Sequence, residues 1–233
     1  MRIAFLGDSI TEGVPGVSYV DMLKAYYPND ELINLGVGGD TIKSINKRMK
    51  KEDLSNIDKL IFFVGVNDLF SRINLVHKIF KVLKNQRWCK DVDEFETHYR
   101  IACDYLSDIQ SEIVVIPPLL LGEDTNNEWN KLLTEFVSRI ELIMASYPRI
   151  KYIHMRESFL DYLKGKTLSD YLPVSLLNIK KDLNECHTIS EFDKRGDSRG
   201  LHLTVDGVHL NSIGATIIAE NIKNSFKNSK ADN

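Results

Sequence analysis

Four side chains in this sequence have the chemistry to attack and cleave a carbonyl compound: Ser9, Asn67, Asp206 and His209. Ser9 lies just past the apolar run Ile3-Ala4-Phe5-Leu6, after Gly7-Asp8. A hydroxyl there can be a nucleophile, or it can cap the helix that follows, since Ser is a favoured N-cap residue. Asn67, in Gly65-Val66-Asn67-Asp68, offers an uncharged donor for a developing oxyanion. His209 ends the run Asp206-Gly207-Val208-His209. A glycine between them lets the carboxylate bend back to the imidazole, fix its tautomer and stabilise its charged form. A DxxH spacing by itself is equally compatible with an inert turn. What joins the four is the set of elements that must carry them.

Short apolar runs bounded by turn residues read as buried strands: residues 3–6, 31–35, 59–64, 113–116 and 150–155. Between them, apolar residues recur at helical spacing. Tyr19, Leu23 and Tyr26 or Tyr27 form one set, stopped by Pro28-Asn29-Asp30. Ile42, Ile45 and Met49 form a second, and Ile73, Val76, Phe80 and Leu83 a third. Phe95, Tyr99, Ala102, Leu106 and Ile109 follow, then Trp129, Leu132, Phe136, Ile140 and Met144. A last helix carries Ile213, Ile217, Ile222 and Phe226. Strands alternating with helices predict a three-layer α/β/α sandwich around a doubly wound, five-stranded parallel sheet of flavodoxin-like order 2-1-3-4-5. In that order the carboxyl ends of the first three strands are neighbours. Ser9, the glycine-rich loop 36–40 and Asn67 then meet at one sheet edge, where open α/β folds bind ligands. His209, after the fifth strand and before the last helix, falls on the same edge.

The sequence reads as one domain over residues 1–227, with a frayed tail at 228–233. Residues 156–205 do not fit the alternation. They are too apolar for a solvated loop, with Phe159, Leu160, Leu163, Leu172, Leu176 and Ile179 among them, so short packed helices are expected. This insertion could be extra core, a lid over the site, or a subunit contact in a homo-oligomer. Gly196-Asp197-Ser198-Arg199-Gly200 reads as a flexible surface turn.

A net charge of −3 with 27% charged residues leaves no dominant field of either sign, so nucleic acid is not an expected partner. The basic stretch 43–51 reads as the solvated face of a helix. Three cysteines, far apart and without a CxxC pair, suit free thiols in a reducing compartment. No signal peptide and no run long enough to span a bilayer is visible, so the expected location is the cytoplasm.

The blocks Gly7-Asp8-Ser9, Asn34 to Gly39 in NLGVGGDT, Gly65-Val66-Asn67-Asp68 and Asp206-Gly207-Val208-His209 resemble, in order and spacing, the four blocks of the SGNH hydrolases, also called GDSL-like lipases and esterases. The resemblance spans nearly the whole chain and implies the SGNH-hydrolase fold. It implies Ser9 as nucleophile, His209 as base and Asp206 as its orienting acid. The Ser9 N–H, the Gly39 N–H and the Asn67 side chain would form the oxyanion hole, with Gly38 an alternative to Gly39. Asp8 would be structural support for the turn. Two features depart from a minimal member: the third block lacks the frequent threonine before Asn67, and the insertion is long.

The implied reaction is hydrolysis of a short-chain carboxylic ester through an acyl-enzyme, with an O-acetyl group on a sugar or small metabolite as a candidate substrate. No metal or other cofactor is required. An ordinary imidazole at His209 predicts activity falling below about pH 6 to 6.5. A thioesterase or lysophospholipase with a longer acyl pocket is an alternative. Two other classes fit parts of the sequence. A metal hydrolase could use His202, Asp206 and His209, with Cys186 or His187 nearby. A non-catalytic flavodoxin-like binding module could use the loop Gly36-Val37-Gly38-Gly39, which lacks the GxGxxG spacing.

Overall fold

The computed structural model describes residues 1–73, 82, 86–172 and 176–228. Its centre is one five-stranded parallel sheet in the order β2-β1-β3-β4-β5. The strands are β1 (Arg2–Gly7), β2 (Glu31–Gly36), β3 (Lys59–Phe63), β4 (Glu112–Ile116) and β5 (Ile150–Tyr152). Phe5 pairs with Asn34 on one side and with Ile61 on the other, and Ile61 pairs in turn with Val114. The central strands are apolar on both faces because both are covered: Ile3 to Leu6 and Leu60 to Phe62 are fully buried. Edge strand β2 is mostly half-buried, as one open side allows. The fifth strand stops at Tyr152 rather than running to Met155; Met155 opens the next helix.

Ten α-helices among the described residues accompany the sheet: α1 (Ser9–Glu12), α2 (Tyr19–Lys24), α3 (Ile42–Arg48), α4 (Val66–Ile73), α5 (Val92–Ser107), α6 (Glu128–Met144), α7 (Met155–Leu163), α8 (Leu176–Glu185), α9 (Ile189–Asp197) and α10 (Ser212–Asn228). Helix α10 packs on α2 and α7, while α5 packs on α3 and α6. The latter group encloses an aromatic cluster, with Phe95 5.5 Å from Tyr99 and 4.6 Å from Phe136 between ring centroids. Such pairs contribute about 0.5–1.5 kcal/mol beyond the area they bury.

Several local expectations change. Ile73 is the last described residue of α4, and Val76, Phe80 and Leu83 lie outside the described residues, as does the tail beyond Asn228. On α10 the inward stripe is Ala215, Ile218, Ala219, Ile222 and Phe226, and Ile213 is exposed. Residues 156–205 contribute most of α7 and all of α8 and α9. Gly196 is helical and buried within α9, not part of a surface turn. Arg199, in the same stretch, makes two hydrogen bonds to the fully buried Asp182, at 2.7 and 2.8 Å. All three cysteines are free and buried, and burial pushes the Cys103 thiol up to about 12. Among the described residues no helix is long and apolar enough to cross a membrane.

Candidate active site

The turn after β1 is built by a cap. Asp8 is the N-cap of α1, its carboxylate accepting from the Ile10 N–H at 3.0 Å. Ser9, expected as either cap or nucleophile, is therefore the first helical residue, and its hydroxyl is free for another partner. That partner is His209, with Ser9 Oγ 2.9 Å from Nε2. On the other side of the ring, Nδ1 lies 2.7 Å from Asp206 Oδ2. An ionised carboxylate only accepts, so Nδ1 carries the proton and the neutral ring presents Nε2 to the serine as an acceptor.

The bend that brings Asp206 to its own histidine needs Gly207, whose φ of 88° lies in the left-handed region. Asp206 Oδ1 accepts from the backbone N–H groups of Val208 and His209, at 3.0 and 2.8 Å. The carboxylate is buried, which alone would raise its pKa. The His209 charge and these hydrogen bonds outweigh burial and hold it below the ordinary value. Burial likewise opposes charge on His209, but Asp206, aided by Asp8 and Asp182, outweighs it and raises the imidazole above its ordinary value. The sequence-based expectation of an ordinary imidazole is thus corrected upward.

Asn67 lies in the first turn of α4, which Val64 and Gly65 separate from the end of β3. Its amide donates to Asp8 Oδ2 at 3.2 Å, joining the turn after β1 to the helix after β3. Asp8 thus does more than hold its own turn. Asn34 does similar work on the other flank, accepting from Gly36 N–H and donating to the Thr11 carbonyl. In the glycine-rich loop, Gly39 has a φ of 83°. A Cβ placed on Gly38 would lie 4.0 Å from the Ser9 Cβ and 2.9 Å from Glu12 Oε2, so this loop passes close beside Ser9.

Two groups near the site were not singled out in the sequence. Arg48, read as part of a solvated basic face, turns inward. It donates to Asp40 at 2.8 Å and to the Gly7 carbonyl at 3.1 Å, tying the glycine-rich loop to the end of β1. Glu123, fully buried after β4, accepts hydrogen bonds from residues 202–204. Only the pattern KSINKR, in which one basic residue falls on the inner face of a short helix, hinted at the first. No spacing rule marked the second, because its partners lie about eighty positions away.

Ser9, Asn67 and His209 line a cavity of about 30 Å³ whose other walls are Val66, Phe70, Ile179 and Val208. Ile179 brings α8, and with it the insertion, to the edge of this cavity. The metal-ligand arrangement imagined for His202 does not form. Its ring Nε2 meets the Thr167 carbonyl at 2.9 Å, and its backbone N–H donates to Glu123. Among the described residues no group of three or more His, Cys, Asp or Glu side chains could hold a metal ion.

A parallel sheet of this order, with a serine, a histidine and a carboxylate hydrogen-bonded in line at its carboxyl edge, defines an α/β-sandwich hydrolase arrangement. The chain belongs to the GDSL-like lipase/acylhydrolase family, whose model matches residues 5–217, and with it to the carboxylic ester hydrolases. No curated protein matches the sequence. Among solved structures, the acetyl xylan esterase AlAXEase is 25% identical, with a TM-score of 0.66, over 97% of this chain and 99% of that one. Axe2, an acetylxylan esterase from Geobacillus stearothermophilus, is 17% identical with a TM-score of 0.66, over 95% and 91% of the two chains. The lipase/acylhydrolase from Enterococcus faecalis is 19% identical with a TM-score of 0.63, over 98% and 96%. The last two establish likeness of fold.

Proposed function

We propose that the protein removes short acyl groups, acetyl above all, from a hydroxyl of a sugar or other small metabolite. The observation that carries this reading is the small, mostly apolar cavity directly against the Ser9–His209 pair. Its volume of about 30 Å³ is a few times the roughly 10–15 Å³ that one water needs. A methyl group fits such a space. The activity of the acetyl xylan esterase AlAXEase, similar along nearly its whole length, supports the same substrate class.

In the mechanism, the ester carbonyl sits against Ser9. His209 Nε2 takes the hydroxyl proton as Oγ attacks, and Asp206 stabilises the imidazolium through Nδ1–H. The oxyanion receives donors from the Ser9 N–H, the Gly39 N–H and the Asn67 amide, whose other hydrogen bond to Asp8 sets its orientation. His209 returns the proton to the departing alcohol. Water then enters and attacks the acyl carbon while giving a proton to His209, and His209 passes that proton to Ser9 Oγ as the bond to Oγ breaks and the acid leaves. Asp8 stays structural, holding Ser9 and Asn67 in register.

The test is a series of chromogenic esters from acetate to palmitate, with wild type and Ser9→Ala. Acetate should be the best substrate, and turnover should vanish in the variant. A preference for octanoate or longer would replace this reading with the thioesterase or lysophospholipase one.

A further inference from the structure

We infer that Glu123 is a positioning residue for His209, holding the loop that presents the base to the serine. The inference rests on the reading of Ser9, His209 and Asp206 as the catalytic groups. Glu123 follows β4 by a short loop and is fully buried. Its Oε1 accepts from the Leu203 N–H at 2.8 Å, the Thr204 N–H at 2.9 Å and the Thr204 hydroxyl at 2.7 Å. Its Oε2 accepts from the His202 N–H at 2.7 Å. All four donors come from one three-residue segment, and that segment leads straight into Asp206.

The connection continues to the base itself. The Thr204 hydroxyl, having donated to Glu123, accepts from the Gly207 N–H at 3.1 Å. Gly207 sits between Asp206 and His209. Thr204 also bridges to Leu210, and the Val205 N–H donates to the His209 carbonyl at 2.7 Å. Residues 204–210 thus close into a small loop with Asp206 and His209 on it. The Gly122 N–H donates to the Gly207 carbonyl at 2.8 Å. Glu123 and its neighbour grip this loop at its first leg and at its turn.

The grip has a reason in the chemistry. His209 Nε2 must stay within hydrogen-bond reach of Ser9 Oγ through proton transfer, and small misplacements of a catalytic group cost rate steeply. Residues 202–211 form no regular strand or helix that could supply this stiffness. A buried carboxylate surrounded by donors from one segment supplies it, because each of those backbone N–H groups would otherwise be buried without a partner. Residues that orient the base share its role, so their losses should not add to the loss of the base itself.

The experiment compares Glu123→Gln, which keeps the size but turns one acceptor into a donor, with wild type, His209→Ala and the double variant. On p-nitrophenyl acetate, Glu123→Gln should lower kcat about 10- to 100-fold with KM changed less than about threefold. In the His209→Ala background it should have almost no further effect. Should Glu123→Gln fail to fold, Thr204→Val removes the hydroxyl relay alone, and a fall in kcat of about 3- to 10-fold is expected. A folded Glu123→Gln with wild-type kcat would overturn the inference, as would an equal loss with and without His209. For the hydroxyl relay, the same holds of a folded Thr204→Val with wild-type kcat. If His209→Ala and Ser9→Ala themselves keep full activity, the catalytic reading fails first, and the two failures are thereby told apart.

Discussion

The two halves of the candidate site are held by different means. Ser9, the glycine-rich loop and Asn67 each lie at the carboxyl end of a central or adjoining strand, so the sheet register sets their spacing almost directly. Asp206 and His209 sit on an irregular loop, far along the chain from β5, and no strand end carries them. They are placed by hydrogen bonds to another buried loop, that of Gly122 and Glu123. Asn130 in α6 secures that loop in turn. Its amide donates to the carbonyls of Leu121, Gly122 and Asp124, and its oxygen accepts from the Leu121 N–H at 3.0 Å. A nucleophile needs only a turn at a strand end. A base that must reach it from elsewhere needs a scaffold of its own.

This contrast makes predictions. Changes on the nucleophile side should remove activity and leave stability nearly intact. Ser9→Ala should lower kcat by at least about 10⁴-fold on p-nitrophenyl acetate, with a Tm close to wild type. On the base side Asp206→Asn should cost about 10⁴-fold by favouring the wrong tautomer, and it should also lower the urea midpoint, since the carboxylate is buried among donors. Asn67→Ala, which removes one oxyanion donor, should cost about 10²- to 10³-fold in kcat with little change in KM. Wild-type activity in that variant would remove Asn67 from the oxyanion hole.

The pH profile tests the electrostatics that join the halves. His209 must be neutral to accept the serine proton, and Asp206 raises its pKa. Activity in kcat/KM should therefore fall on acidification with a midpoint above about 6.5, the ordinary imidazole value. A midpoint at or below that value would mean that burial outweighs Asp206. The smallest effect on rate is expected farthest from the chemistry. Asn130→Ala should reduce kcat only several-fold but destabilise the fold by about 1–3 kcal/mol, the cost of leaving buried polar groups unpaired. Equal stability losses from Ser9→Ala and Asn130→Ala would erase the distinction between the two halves.

Much of this was legible beforehand, and the misses share a cause. Strands β1 to β4 and helices α5 and α6 follow from apolar runs and helical spacing, because each buries a face set by local periodicity. Ser9 and the DGVH turn were visible as candidates because a glycine and a nucleophile or base stand side by side in the sequence. The end of β5, the inward stripe of α10 and the helical Gly196 were misread. Each depends on which neighbour covers that face, and periodicity does not name the neighbour.

By itself, the amino-acid sequence determined the alternation of strands and helices, the four short blocks and thereby the family. These depend on spacings of a few residues, over which backbone geometry is nearly independent of the rest of the chain. Tertiary structure alone decided that Asp8, not Ser9, caps α1, that Arg48 turns inward to Gly7, and that Glu123 supports a loop some eighty residues later. A buried polar group takes whichever donors the packed fold brings to it, and those donors have no fixed separation along the chain.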